Sequence, residues 1–292
     1  MSETHEVGRK SERWEQATAL RPHALVTAVL ELHWAAQFIA SAGQTFAEPK
    51  ADDSHRAMLW NHGLRAFVGV AFAGPYPFRL ALRPDDLTLL LLDREDGILG
   101  SFALGGHTLD EGYEWLALGM ATYRGGNPPV IERPEYDMPD HPVRAGARFS
   151  TEQGPALDVL SALFGSAAAV LDTRFSTRDD ASIVRCWPHH FDIATLITLE
   201  EADDAEKVRT VGVGLAPMGG GYDHWYWYVT PWPYPDPDRL PALTEGGAWH
   251  TEGWTGAVLT GDEVHSLEPG ERGRRIERFL TEAVEQATDL LA

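Results

Sequence analysis

The stretch Trp187-Pro188-His189-His190-Phe191-Asp192 decides how this sequence divides into parts. A reduced form, Trp60-Asn61-His62-Gly63-Leu64, occurs in the first half of the chain. The two tryptophans and the two matched histidines have the same separation, since 187 minus 60 and 189 minus 62 both give 127. This repeat predicts an internal duplication, with Trp187, His189 and Phe191 as the shared scaffold.

The second copy differs from the first at two chemically capable positions. His190 and Asp192 stand where the first copy has Gly63 and Arg65. A histidine beside a carboxylate can act as a general acid or base near neutral pH. We therefore predict that a function specific to the second half depends on His190 and Asp192 as a catalytic pair.

The composition limits the classes of function. The chain has 292 residues, of which 43% are hydrophobic, enough for one large domain or two modest ones. Its 44 acidic and 24 basic side chains give a net charge of -20, which disfavours binding to nucleic acid or to an anionic membrane. The single cysteine, Cys186, cannot form an internal disulfide, and the first residues contain no apolar signal region. We expect a cytoplasmic protein with neither nucleic acid nor membrane as a partner.

Hydrophobic periodicity and turn residues divide the sequence into four predicted parts. The parts are a mobile N-terminal segment over 1–20, a first half over 21–123, a proline- and glycine-rich linker over 124–150, and a second half over 151–292. The predicted fold class is α+β, with two tandem helix–antiparallel sheet–helix halves related by an internal duplication. The two sheets either pack about a pseudo-twofold axis or join edge to edge.

Local signals place the main elements within these halves. An apolar face at helical spacing predicts a helix over 22–42. Thr108 followed by Glu111 is a capping box, which predicts the start of a helix that runs to about residue 123. In the second half, apolar and aromatic runs predict strands over 183–199, 225–230 and 249–259.

Landmarks spread along the chain support this order of elements. They are Leu32-His33-Trp34, the segments 60–74 and 102–116, Trp187 with Phe191-Asp192, the aromatic run 226–235, and the end of the chain from Gly261. Together they resemble a bacterial family of about this length that is catalogued only as a domain of unknown function. The resemblance implies an order of elements and no chemistry, and the doubled histidine at 189–190 departs from the family's pattern.

Three predicted strands each offer a histidine to one face of a sheet, because alternate residues of a strand share a face. The sets that share a face are His190 with Asp192, His224 with Tyr226 and Tyr228, and His250 with Glu252. If the strands are neighbours, the sequence predicts a divalent zinc, iron or manganese site whose ligands are His190, His224, His250 and Glu252. Hydrogen-bonded histidines within an aromatic sheet are the alternative.

Aromatic residues are concentrated in the same region. The predicted ligand-binding side chains are Tyr226, Tyr228, Trp249 and Trp254. Aromatic walls bind sugars, flat rings or cations, although they also form cores and subunit interfaces. Three functions therefore stay open: a metal-assisted hydrolase or oxygenase with a small-molecule pocket in the second half, a non-catalytic module for a sugar-like or aromatic ligand, and an interaction subunit or homo-oligomer that uses its aromatic face.

Overall fold

A computed structural model describes residues 14–72, 77–201 and 208–292 of the chain. It confirms the α+β class, with helices and two antiparallel sheets. The chain forms two compact units. The N-terminal unit consists of Thr27–Ser161 and Arg185–Phe191, and the C-terminal unit consists of Met1–Val26, Ala162–Val184 and Asp192–Ala292. Most of the predicted mobile segment 1–20 lies outside the described residues.

The N-terminal unit contains a five-stranded antiparallel sheet and two long helices that contact each other, with Ser41 Oγ 2.9 Å from Tyr113 Oη. Its helices are α1 (Val26–Phe46) and α2 (Leu109–Arg124), and its strands, in spatial order, are β1 (Leu59–Asn61), β2 (Ala66–Val68), β3 (Arg79–Arg83), β4 (Thr88–Leu92) and β5 (Ile98–Ala103). All five residues of β4 are buried, as the run of leucines predicts. The capping box is confirmed, because the amide of Glu111 donates to Thr108 Oγ1 and the amide of Thr108 donates to Glu111 Oε2.

The third long helix, α3 (Gly154–Phe175), begins in the N-terminal unit and ends in the C-terminal unit. Within the C-terminal unit five antiparallel strands lie in the order β10-β11-β9-β8-β7. They are β7 (Asp192–Glu200), β8 (Arg209–Ala216), β9 (Tyr226–Trp232), β10 (Ala248–His250) and β11 (Gly256–Thr260). A short helix, α4 (Gly261–His265), and the amphipathic α5 (Pro269–Leu291) follow, and α5 packs on β8, β9 and β11.

Two of the predicted strands are interrupted by turns. The run 183–199 becomes β6 (Arg185–Trp187), a turn over residues 188–191, and β7. Pro188 cannot donate to a strand ladder, and Phe191 has a left-handed φ of 58°. The run 249–259 becomes the hairpin of β10 and β11, with Glu252 in the turn. The predicted shared faces of His190 with Asp192 and of His250 with Glu252 are therefore wrong.

The compact units also differ from the predicted sequential halves. Residues 185–191 belong to the N-terminal unit, although they fall within the predicted second half. The predicted linker over 124–150 is part of the N-terminal unit and lies against α1: the amide of Glu132 donates to Thr45 Oγ1, and Trp34 Nε1 donates to the carbonyl of Pro139. It is therefore an ordered part of one unit.

The turn over residues 188–191 is fixed by side chains of α1. His33 Nε2 and Gln37 Nε2 both donate to the carbonyl oxygen of Pro188, at 2.9 and 2.8 Å. The ring of Phe191 is fully buried and stacks on His33, with centroids 5.0 Å apart. Burial lowers the pKa of His33 to about 4, so the ring is neutral and carries the proton that Nε2 donates.

Two helices reach the length and hydropathy of a membrane span. They are Pro22–Phe46, with a mean hydropathy of 1.3, and Gly154–Phe175, with 1.5. The core helix of a soluble protein meets the same criteria, and 72% and 67% of these windows are buried. Length and composition are therefore weak evidence about a membrane.

Candidate functional site

Three potential metal ligands meet in the C-terminal unit: His23, His224 and Asp262. His23 lies in the 3-10 turn Pro22–Leu25, His224 precedes β9, and Asp262 is in the first turn of α4. One ligand atom from each side chain lies within 4.8 Å of the other two. His224 is buried, whereas the side chains of His23 and Asp262 are 57% and 55% exposed, so the cluster opens to solvent.

Gly261 brings the three segments together. Its amide donates to the carbonyl oxygen of Trp225 at 2.9 Å, which joins the start of α4 to the residue after His224. A Cβ atom at position 261 would lie 2.6 Å from the Trp225 ring and 2.9 Å from Pro22 Cγ. The absence of a side chain at Gly261 therefore allows Pro22, and with it His23, to approach Asp262.

The distances within the cluster suit a cation. Asp262 Oδ2 lies 3.3 Å from His224 Nε2 and 3.4 Å from His23 Nε2. Ligands bound at about 2.1 Å to a tetrahedral metal are separated by about 3.4 Å. The two separations from Asp262 match that spacing, and the ligand atoms of His23 and His224 lie within 4.8 Å of each other. Asp223, whose carboxylate lies 3.8 Å from His23 Nδ1 and 3.9 Å from His224 Nε2, adds negative charge beside the cluster.

The hydrogen bond of His224 orients the ring for metal binding. Its Nδ1 lies 3.1 Å from the carbonyl oxygen of Trp225, which can only accept, so Nδ1 carries a proton. In the neutral ring Nε2 then presents a lone pair toward Asp262 Oδ2. A backbone carbonyl that fixes the tautomer in this way is the usual outer partner of a metal-binding histidine.

The structure brings only His224, of the four predicted metal ligands, into this cluster. Both ring nitrogens of His250 face protein atoms, since Nδ1 accepts from Tyr222 Oη at 3.2 Å and Nε2 donates to the Glu252 carbonyl at 2.9 Å. Glu252 contributes that carbonyl from the turn between β10 and β11. His190 is an exposed turn residue of the N-terminal unit, with its ring 4.3 Å from that of His189.

Asp192, predicted as the partner of His190, interacts with a tyrosine within the C-terminal unit. Tyr228 Oη, which is partly buried, donates to Oδ2 of the buried Asp192. Tyr228 passes over Gly214, where a Cβ would lie 2.7 Å from the tyrosine oxygen. Burial, with the nearby Asp192 carboxylate, also raises the pKa of Tyr226. Tyr226 is therefore neutral near pH 7.

The predicted aromatic residues form two groups. Tyr226 and Trp254 belong to a cluster with Tyr222 and His250, in which neighbouring ring centroids lie between 4.5 and 6.4 Å apart. Trp254 Nε1 donates to the Gly220 carbonyl at 2.9 Å. Trp249 instead donates to the carbonyl of Pro241. The rings of the cluster contact one another at tilted angles, and Tyr222, His250 and Trp254 are only partly buried.

The sequence did not identify two of the three residues in the cluster. His23 and His224 are 201 positions apart, since 224 minus 23 gives 201, and no motif connects them. Asp262 follows a strand in Gly261-Asp262-Glu263, where Thr260 is the N-cap of α4, so its local signal is that of a helix start. Comparison with protein-family models, curated proteins and solved structures gives no match for this chain. The resemblance to a bacterial family therefore stays a prediction.

Proposed function

We propose that the protein binds one divalent cation through His23, His224 and Asp262 and acts as a metal-assisted hydrolase. The observation that carries this proposal is the Nε2 atom of His224. The Trp225 carbonyl takes the proton on Nδ1, so Nε2 is the nitrogen that faces the Asp262 carboxylate oxygen, at 3.3 Å, and is the atom placed to bind a cation beside it. The third ligand, His23, is at the distance that a cation requires.

Two imidazoles and one carboxylate form a donor set for zinc, iron or manganese. A metal held by three protein ligands retains an open position, where it polarises a bound water or carbonyl group. The exposure of His23 and Asp262 favours hydrolysis over oxygen activation, because reactive oxygen intermediates need a site that excludes water. In this proposal the chain's own residues bind the cation and fix the orientation of the His224 ring.

The test is metal binding to the purified full chain after removal of metal with a chelator. We expect about one equivalent of Zn²⁺ or Co²⁺ by calorimetry. His23→Ala and Asp262→Asn should each weaken binding by more than about a hundredfold, since loss of an outer-shell partner alone costs 10–100-fold. Both residues are exposed, so neither substitution disturbs the core.

His107→Ala is the matched control. His107 lies 3.4 Å from Glu111, so it is also an exposed histidine–carboxylate pair, but it belongs to no cluster of three ligands among the described residues. This variant should bind metal as the unsubstituted protein does. Equal affinity in His23→Ala, Asp262→Asn and His107→Ala would overturn the site. If the protein binds metal but does not hydrolyse activated esters in a metal-dependent way, the proposed hydrolase activity is refuted and the proposed metal site is retained.

We also infer that the two halves arose by duplication, as the repeated tryptophan and histidine predict. Each has a long helix, a strand, a turn ending in a left-handed residue, and a series of antiparallel strands. The left-handed residues are Arg65, directly before β2, and Phe191, directly before β7. Aligned by these strands, Asp192 corresponds to Ala66 rather than to Arg65. Matched residues of the two halves are thus 127 positions apart before the turn (187 minus 60) and 126 positions apart after it (192 minus 66).

A further inference from the structure

The segment over residues 130–150, called the strap below, lies along α1 in the N-terminal unit. Apart from the 3-10 turn Pro142–Ala145 and a bridge at Phe149, it has no regular structure. It contacts Thr45 through Glu132 and Trp34 through Pro139, so it runs antiparallel to the helix. Ordered irregular segments of this length are uncommon and are often functional.

The third attachment of the strap to α1 is Glu31. This side chain is buried, with 5% of the residue exposed. Its Oε1 accepts the amide of Ser150 at 3.3 Å and lies 3.6 Å from His141 Nε2. Its Oε2 is buried without a hydrogen bond to any described residue. Glu31 therefore contacts the strap at both His141 and Ser150, and its Oε2 accepts no hydrogen bond from a described residue.

Such a carboxyl group is stable in the neutral form and unstable when charged. Burial raises the pKa of Glu31 to about 7, against the lowering effect of the Ser150 amide. The titratable group that faces it from the strap is His141, whose own pKa is lowered by burial. On α1, His33 is directed to Pro188, and Arg148 of the strap binds Glu111 and the Gly106 carbonyl.

We propose that Glu31 is a pH-dependent latch, which keeps the strap on α1 while it is protonated and releases residues 139–150 when it ionises. Release hydrates the carboxylate and separates it from the buried environment. A shallow, open surface depression of about 550 Å³ is lined by the strap residues Asp140, His141, Pro142, Arg144 and Ala145. The shape of this depression therefore depends on whether the strap is attached.

Hydrogen exchange of the full chain at pH 6 and pH 8 tests the latch. If opening returns Glu31 from a pKa of about 7 to its usual 4.5, ionisation of Glu31 should raise the opening equilibrium of residues 139–150 about tenfold between these pH values. Opening also releases His141, whose pKa is lowered by burial, and this effect favours opening at the lower pH. Glu31→Gln, which keeps the shape and an oxygen for the Ser150 amide, retains only the effect of His141, so its opening should not rise with pH. The tenfold rise is therefore the ratio between the changes of the two proteins, after correction for the intrinsic pH dependence of exchange.

Glu114→Gln is the matched control, because Glu114 is an exposed glutamate in the same unit. It should retain the tenfold change. Cleavage after Arg144 by an arginine-specific protease, normalised to a short peptide, gives a second measurement and should show the same pattern. The latch is refuted if the unsubstituted protein and Glu31→Gln show the same pH dependence, or if Glu114→Gln loses it.

Discussion

Phe191 combines a fully buried ring with a left-handed backbone, and these two properties predict an unusual order of stability for its small substitutions. The residue is 0% exposed and stacks on His33, so Phe191→Ala should lower the free energy of unfolding by about 3–5 kcal/mol. At most buried sites glycine is worse than alanine by about 0.5–1 kcal/mol. Here the φ of 58° reverses that order.

The reversal follows from two opposing terms. A left-handed conformation costs a residue with a Cβ about 1–2 kcal/mol, and glycine avoids this cost. Glycine also gives the unfolded chain more freedom, which costs about 0.4–1 kcal/mol. Phe191→Gly should therefore be more stable than Phe191→Ala by about 0.5–1 kcal/mol, although both are much less stable than the unsubstituted protein.

Equilibrium urea denaturation, followed by circular dichroism, measures the difference. Phe164 gives the matched pair, because its ring is also fully buried but it lies within α3. Phe164→Gly should be less stable than Phe164→Ala by about 1 kcal/mol. If Phe191→Gly is less stable than Phe191→Ala, or the two sites show the same order, the explanation from backbone strain fails.

Two further substitutions test neighbouring features. Arg65 has a φ of 51° and only weak contacts, to Ser161 at 3.4 Å and to Asp85 at 4.0 Å. Arg65→Gly should therefore raise the free energy of unfolding by about 0.5–1 kcal/mol, whereas Arg65→Ala should not raise it. Urea denaturation measures both variants, and a destabilised Arg65→Gly would contradict this prediction. Tyr228→Phe removes a donor from the buried Asp192 carboxylate and should cost about 1.5–3 kcal/mol by the same assay, whereas a cost below about 0.5 kcal/mol would show that this hydrogen bond is not stabilising.

The sequence predicted the elements whose causes are local. Thr108 and Glu111 are three residues apart, so their capping box can be recognised without any knowledge of the fold, and both hydrogen bonds form. The strand that was predicted over 183–199 depended on alternation alone. This strand ends at Trp187 because Pro188 and the left-handed Phe191 form a turn. An alternating apolar pattern does not reveal that a residue has a left-handed backbone conformation.

The candidate site could be predicted only in part for the same reason. A combination of histidines with a carboxylate was expected, although with three histidines, and so was His224. Two contacts bring Asp262 and His23 next to His224. They are the hydrogen bond from the Gly261 amide to the Trp225 carbonyl and the packing of Pro22 on Gly261. These contacts join residues 36 and 239 positions apart, since 261 minus 225 is 36 and 261 minus 22 is 239, and no local pattern specifies which segments meet.

The distribution of the C-terminal unit along the chain determines when that unit can be completed during synthesis. Arg272 Nη1 donates to the carbonyl and to the hydroxyl of Thr18, a separation of 254 positions. Trp14 packs near Trp227, with ring centroids 6.2 Å apart. At roughly 5–20 residues per second, a ribosome needs roughly 13–50 s to join residues 18 and 272. During that time Thr18 lacks its contact with Arg272, so this segment of the nascent chain is available to chaperones until residue 272 has been made.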